Sequence, residues 1–102
     1  MLTSNVTVSA AEIFTMAMRA LSNVTHAGQA TRGALSDELT KRLPNGWRVT
    51  LSNEIYLDAA GKAWEGAGVP PKLAIPVFKE TEDAAQTHLQ AVRVVVDHIR
   101  LR

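Results

Sequence analysis

Cysteine is absent from the 102 residues, which excludes a disulfide framework and thiolate metal sites while fitting a reducing or an oxidising compartment equally well. Charge of one sign is also missing. Eleven Lys and Arg stand against ten Asp and Glu, for a net charge of +1, and the densest like-charge cluster is the interleaved "ETED" at 80–83. Such a chain carries no electrostatic footprint for DNA or RNA. No apolar run approaches the ~18 residues that span a bilayer, and the N-terminus lacks a basic region followed by an apolar one. No membrane span and no address are therefore read from it. The three histidines, His26, His88 and His98, lack the HxH or HExxH spacing of a zinc site, so no metal and no cofactor are expected.

The length suits one domain with a modest core and is short for an enzyme that encloses its own cleft. Residues Val6–Val8 are β-formers, and Ser9 then opens a stretch free of Gly and Pro that reaches about Ser22; this predicts a strand followed by a helix. The helix is apolar except for a stripe of Glu12, Thr15 and Arg19, a composition that calls for cover on most sides. The rest of 102 residues offers little such cover, so the chain is expected to be one part of a larger body. "NVTHAG" predicts a short buried strand and "GQATRGA" a glycine-containing loop.

"LPNGW" at 43–47 carries a hairpin signal: Pro44 and Asn45 suit a type I turn, and Gly46 the left-handed bulge after it. The register then sets Leu43 opposite Trp47, Leu39 opposite Leu51 and Leu35 opposite Ile55. The polar pairs Arg42–Arg48, Thr40–Thr50, Glu38–Ser52 and Ser36–Glu54 fall on the other face. "DAAGK" predicts a turn with positive φ at Gly61, and "KLAIPVF" a short strand. Acids Glu80, Glu82 and Asp83 then precede a helical pattern with Ala85, Leu89, Val92, Val96 and Ile99 on one face, closed by Arg100 and Arg102; both charged ends suit the helix dipole. The fold class is α/β (α+β): strand, buried helix, strand, β-hairpin and C-terminal helix.

Ser9, Ala10, Ala11 and Glu12 match the SxxE capping box, in which the Ser hydroxyl accepts from the fourth residue and the Glu reaches back. A serine at a strand-to-helix junction also sits where N–H groups at the helix start can stabilise an oxyanion. On these residues alone Ser9 is either a cap or a nucleophile.

"TVSAAEIF", "GQATRGA", "LPNGWRVTLSNEIYLDAAGKAWEG" and "GVPP", in that order from about residue 2 to 71, resemble the C-terminal half of the catalytic domain of tail-specific, or C-terminal processing, serine proteases. The resemblance leans toward the branch of the tricorn core and interphotoreceptor retinoid-binding protein. It implies a partial crotonase-like core over 1–79, a C-terminal helix over 80–102, and residues 1–102 as a single partial domain. Ser9 takes the nucleophile's position, the backbone N–H of Ala10 supplies one oxyanion donor, and Glu54 is the candidate carboxylate that orients a base. Gly28, Thr31 and Gly33 match a "GExTxG" loop with Gln29 in place of its acid; Thr31 and Gly33 either shape the substrate groove or permit the turn. Lys72 stands where the family commonly has Asp, and His26 where its strand is commonly apolar.

A serine needs a base at neutral pH. Where the bacterial branch places a lysine, this chain has Arg32, Gly33, Ala34 and Leu35, and arginine stays protonated. In the other branch the base is a histidine from the half of the domain that precedes the serine. The resemblance thus implies a fragment of a serine-type endopeptidase that forms an acyl-enzyme with a polypeptide substrate, inactive without the missing N-terminal half, its parent periplasmic or secreted. The rival is a non-catalytic interaction or folding module in which Ser9 only caps a helix. A crotonase-type acyl-CoA enzyme shares the architecture but leaves "SAAEIF" and "SNEIYL" unexplained. Exposed apolar surface predicts association of the isolated chain, with a homo-oligomer among the expected partners.

Overall fold

The computed structural model describes residues 1–79 and 82–101; the acid at Glu80 and the base at Arg102 lie outside the described residues. The order of elements is β1 (Leu2–Thr3), α1 (Ala10–Arg19), β2 (Ala27–Gly28), β3 (Glu38–Arg42), β4 (Arg48–Ser52), β5 (Leu73–Ala74) and α2 (Ala84–Arg100). This is a mixed α/β fold. Strands β1, β2 and β5 form a parallel sheet with β2 in the centre, and β3 and β4 form a separate antiparallel ribbon. No helix among the described residues is long and apolar enough to cross a membrane.

The first strand lies earlier than the β-branched run suggested. Leu2–Thr3 pair with Ala27–Gly28, while residues 5–8 turn. The Ser4 N–H donates to Thr7 Oγ1 at 3.1 Å and the Thr7 N–H to the Ser4 carbonyl at 3.0 Å, a side-chain-assisted turn that competes with strand geometry. Val6 is exposed as a result.

The ribbon has the expected register: Leu39 faces Leu51, Thr40 faces Thr50 and Arg42 faces Arg48, with the Leu43 N–H donating to the Trp47 carbonyl at 2.8 Å. Gly46, at φ 86°, takes the left-handed position that the two-stranded twist demands. Glu54 falls beyond the end of β4 rather than on the strand.

Helix α1 reverses the face expected of it. Its buried residues are Glu12, Thr15 and Met16, so the polar stripe points inward, and Phe14 is 60% exposed. The reason is that Glu12 finds its donors in a neighbouring loop. Helix α2 is capped by Asp83, whose carboxylate accepts from the Ala85 and Gln86 N–H groups. The apolar core is split: Ala27, Ile75, Val77 and Ala91 join the sheet to α2, while Met16, Leu35 and Val69 pack under α1. The molecule measures 60 × 34 × 15 Å with a radius of gyration of 16.7 Å, against roughly 13 Å for a compact domain of this length.

Candidate active site

Ser9 joins the turn after β1 to the start of α1, and its backbone is the only non-glycine among the described residues with positive φ. At φ 59° and ψ −125° it leaves the β-region that N-cap residues normally occupy, a conformation worth about 1–3 kcal/mol of strain. The capping-box relation holds on both sides, with the closer bond on the Glu12 side. The Ser9 N–H donates to Glu12 Oε2 at 3.0 Å, and the Ser9 hydroxyl lies in the box relation to the Glu12 N–H. That N–H nevertheless bonds the Ser9 carbonyl at 2.8 Å, and the hydroxyl makes no cap hydrogen bond. Ser9 is exposed.

The first turn of α1 sorts its donors. The N–H groups of Ala11, Glu12 and Ile13 bond the carbonyls of Val8, Ser9 and Ser9. That of Ser9 is shared between Glu12 and the Ala34 carbonyl, 3.1 Å away. The Ala10 N–H meets no acceptor among the described residues. One unspent donor at a helix start, beside an exposed serine, is the arrangement that receives a developing oxyanion.

Glu12 holds this turn in place. The side chain is fully buried. Oε1 accepts from Thr31 Oγ1 and the Gly33 N–H, both at 2.6 Å, and Oε2 from the N–H groups of Ala34 at 2.9 Å and Ser9 at 3.0 Å. Burial alone would raise its pKa, but these four donors outweigh burial and hold it below the ordinary value. Thr31 Oγ1 in turn accepts from the Val69 N–H at 2.7 Å. Gly33 packs backbone on backbone: a Cβ there would lie 2.7 Å from the Gly68 nitrogen, and one on Gly68 would lie 2.0 Å from the Thr31 carbonyl oxygen. Thr31 and Gly33 are therefore buried behind Ser9 and bound to Glu12.

Glu65 escaped the sequence reading. One of its oxygens accepts from the Leu35 and Ser36 N–H groups at 3.0 Å each, fixing the chain just past Ala34. The available signal was an acid in "AWEGAG", where the neighbouring glycines free the backbone to approach closely. Glu54 is exposed and its Oε2 accepts from Tyr56 Oη at 2.5 Å. Its N–H bonds Ser36 Oγ at 3.1 Å, which links it to Ser9 through the 34–36 segment without direct contact. The bond to Glu54, followed by partial burial and the charges of Asp37 and Glu54, pushes the Tyr56 phenol up to about 12.

No histidine or lysine among the described residues is hydrogen-bonded to Ser9. His26 is 2% exposed, with Nε2 2.6 Å from Thr3 Oγ1. Because the Thr3 hydroxyl donates to the Gln29 carbonyl at 2.8 Å, it must accept from His26, which places the proton on Nε2 and leaves Nδ1 without a partner. Burial first, then the Arg19 and N-terminal cations, pull His26 down to about 4 against the opposing Pro70 carbonyl. His88 stacks on Phe78 with ring centroids 6.0 Å apart.

The model of peptidase family S41 matches residues 1–75. Among solved structures, a candidate peptidase from Parabacteroides merdae ATCC 43184 superimposes with a TM-score of 0.77 at 29% identity, over 94% of this chain and 30% of that one. A lipoprotein from Streptococcus agalactiae gives 0.59 at 27% identity, over 91% of this chain and 30% of its own. Mature CPAF complexed with lactacystin gives 0.70 at 19% identity, over 96% and 18%, a likeness of fold. The chain spans 30% or less of the length of each of these structures.

Proposed function

The chain belongs to peptidase family S41, and from that premise we propose that Ser9 is the nucleophile of a serine-type endopeptidase of the tail-specific kind. The observation that carries this reading is the Ser9 turn: a strained, exposed serine at a helix start whose neighbouring Ala10 N–H is unspent. A plain helix cap leaves the positive φ unexplained. The Ser9 hydroxyl attacks the scissile carbonyl of a polypeptide, and the Ala10 N–H receives the negative charge that develops on the carbonyl oxygen.

The base comes from outside this chain. In the tricorn-like branch it is a histidine carried by the preceding half of a crotonase-like domain, which is the partner this reading requires. The residues at 32–35 offer no lysine to replace it. Glu54 is the carboxylate that orients the histidine; one of its oxygens is held by Tyr56, and the other meets no donor among the described residues. Thr31 and Gly33 shape the groove from behind, through Glu12, by setting where the Ser9 turn stands.

The test has two arms. The 102-residue chain alone neither hydrolyses a generic peptide nor takes a fluorophosphonate label at Ser9, because an unassisted serine loses on the order of 10⁴-fold or more in rate. A longer protein that includes the preceding half is labelled, and Ser9→Ala abolishes turnover while its melting curve stays in place. Labelling of the isolated chain sinks the claim that the base lies elsewhere. Full turnover by the Ser9→Ala protein sinks the nucleophile.

A further inference from the structure

The dihedral φ turns about the N–Cα bond, so whatever holds the Ser9 N–H holds its φ. Two acceptors hold it: Glu12 Oε2 at 3.0 Å and the Ala34 carbonyl at 3.1 Å. In an ordinary capping box the glutamate reaches back to a cap residue that stays in the β-region. Here the carboxylate is itself fastened from behind by Thr31 Oγ1, the Gly33 N–H and the Ala34 N–H, at 2.6, 2.6 and 2.9 Å. The Arg32 N–H ties the same segment to the Thr7 carbonyl at 2.9 Å. The Ser9 N–H is thus directed at residue 34, and φ stands at 59°.

A relaxed alternative lies close by. With φ in the β-region, a serine at this position turns its hydroxyl onto the N–H groups of Ala11 or Glu12 as a full helix cap, and the strain of positive φ favours that change. An oxygen used in this way spends a lone pair on the helix and is the poorer nucleophile. In the structure the hydroxyl keeps only the box relation to a Glu12 N–H that already bonds the Ser9 carbonyl.

We propose that Glu12 is a positioning residue of this site: fastened to the 31–34 segment, its carboxylate holds the Ser9 backbone at positive φ and keeps the serine out of the ordinary cap conformation, a role in catalysis that rests on the reading of Ser9 as the nucleophile. All four partners of Glu12 donate, so the role needs a carboxylate. A glutamine would turn its own N–H groups toward two of those donors. Glu12 acts through the Ser9 backbone, not on the reacting atoms.

A double-mutant cycle on the 102-residue chain reads the conformation without catalysis. Ser9→Ala is expected to leave the melting curve of the unaltered chain nearly in place. In a Glu12→Gln background, where Ser9 has become a cap, the same change lowers the midpoint by about 4–8 °C. The backbone carbon shifts of Ser9 in Glu12→Gln move to those of an extended residue. In a longer protein that includes the preceding half, Glu12→Gln lowers kcat and the rate of fluorophosphonate labelling at least about tenfold, with KM within about twofold. Thr31→Val removes one of the four donors and shifts each readout the same way by less.

An equal cost of Ser9→Ala in both backgrounds, with unchanged Ser9 shifts, overturns the proposal. So does a folded Glu12→Gln protein that is labelled at the full rate. If Glu12→Gln fails to fold, Thr31→Val decides by the same readouts. Turnover that survives Ser9→Ala in the longer protein overturns instead the reading of Ser9 as the nucleophile, and takes the catalytic role of Glu12 with it.

Discussion

Two regions of this molecule handle their side chains in opposite ways. Around Glu12, a buried carboxylate is met by four donors, and glycines at 33 and 68 let two loops touch backbone to backbone. On the β3–β4 ribbon every residue is exposed, and Leu39, Trp47 and Leu51 lie on its surface at 42%, 71% and 54% exposure. In the first region the buried carboxylate finds all its donors within this chain. The second presents an ordered but uncovered apolar face. Local geometry at the Ser9 turn is therefore set by contacts across the chain, while the ribbon beyond it keeps its apolar face exposed.

The largest expected effect attacks the first region. Glu12→Ala removes a buried acceptor from four donors at once and leaves the Gly33 and Ala34 N–H groups and the Thr31 hydroxyl proton without an acceptor, the Ser9 N–H keeping only the Ala34 carbonyl. A loss of about 3–5 kcal/mol is expected, a large share of the ~5–15 kcal/mol that holds a domain folded. The matched change on the ribbon, Leu51→Ala, is expected to cost under about 1 kcal/mol, because that side chain gives up little burial on truncation. Urea unfolding of both variants checks the contrast. Comparable losses would mean that the ribbon is covered and the comparison fails.

A smaller effect comes from His26, which sits at the sheet, outside both regions. Its folded-state value of about 4 lies below the ordinary histidine value of 6.5, so the unfolded chain binds the proton first as pH falls. Stability is then full above about pH 6.5, declines between 6.5 and 4, and levels off for this group below that, by on the order of 2–3 kcal/mol. Glu12, also depressed, acts in a lower window: its contribution is lost as pH falls below the ordinary carboxylate range. His26→Leu should flatten the upper limb and leave the lower one. A single limb that begins only below pH 4 in the unaltered chain would show that His26 is not buried in its neutral form.

What the sequence made legible follows the same division. The ribbon's register could be read because side chains alternate strictly along a strand and "PNG" fixes the turn. The junction at Ser9 was legible too, since a serine before an apolar helical run marks a helix start whatever its further role. The inward polar stripe of α1 was not, because the donors to Glu12 come from residues 31–34, about twenty positions away, and no local pattern carries that information. The same holds for Glu65, whose acceptance from Leu35 and Ser36 is a contact across thirty positions. β1 was placed four residues late because three β-formers in a row outweighed a serine and a threonine that build a turn between themselves. On α2 the apolar stripe was visible, but the face that packs is the smaller one, which only the sheet's position could decide.

The smallest effect is the most informative about the turn itself. If Ser9 were mainly a cap, Ser9→Ala would cost about 1 kcal/mol. In the structure the hydroxyl keeps only the box relation to a Glu12 N–H that already bonds the Ser9 carbonyl, so the same change should cost less than a full cap, under about 0.5 kcal/mol. Ser9→Gly should then do the opposite of what glycine does at a helix end. With φ at 59° and ψ at −125°, removing the Cβ relieves strain that an L side chain endures there, and a gain of about 1 kcal/mol is expected despite the added freedom of the unfolded chain. Calorimetry on the pair reads this directly. A gain for glycine with no loss for alanine would mean that the turn is held under strain by Glu12 and Ala34 around a side chain that contributes nothing to stability, as a residue retained for its chemistry would be. A loss for both would return Ser9 to the role of a cap.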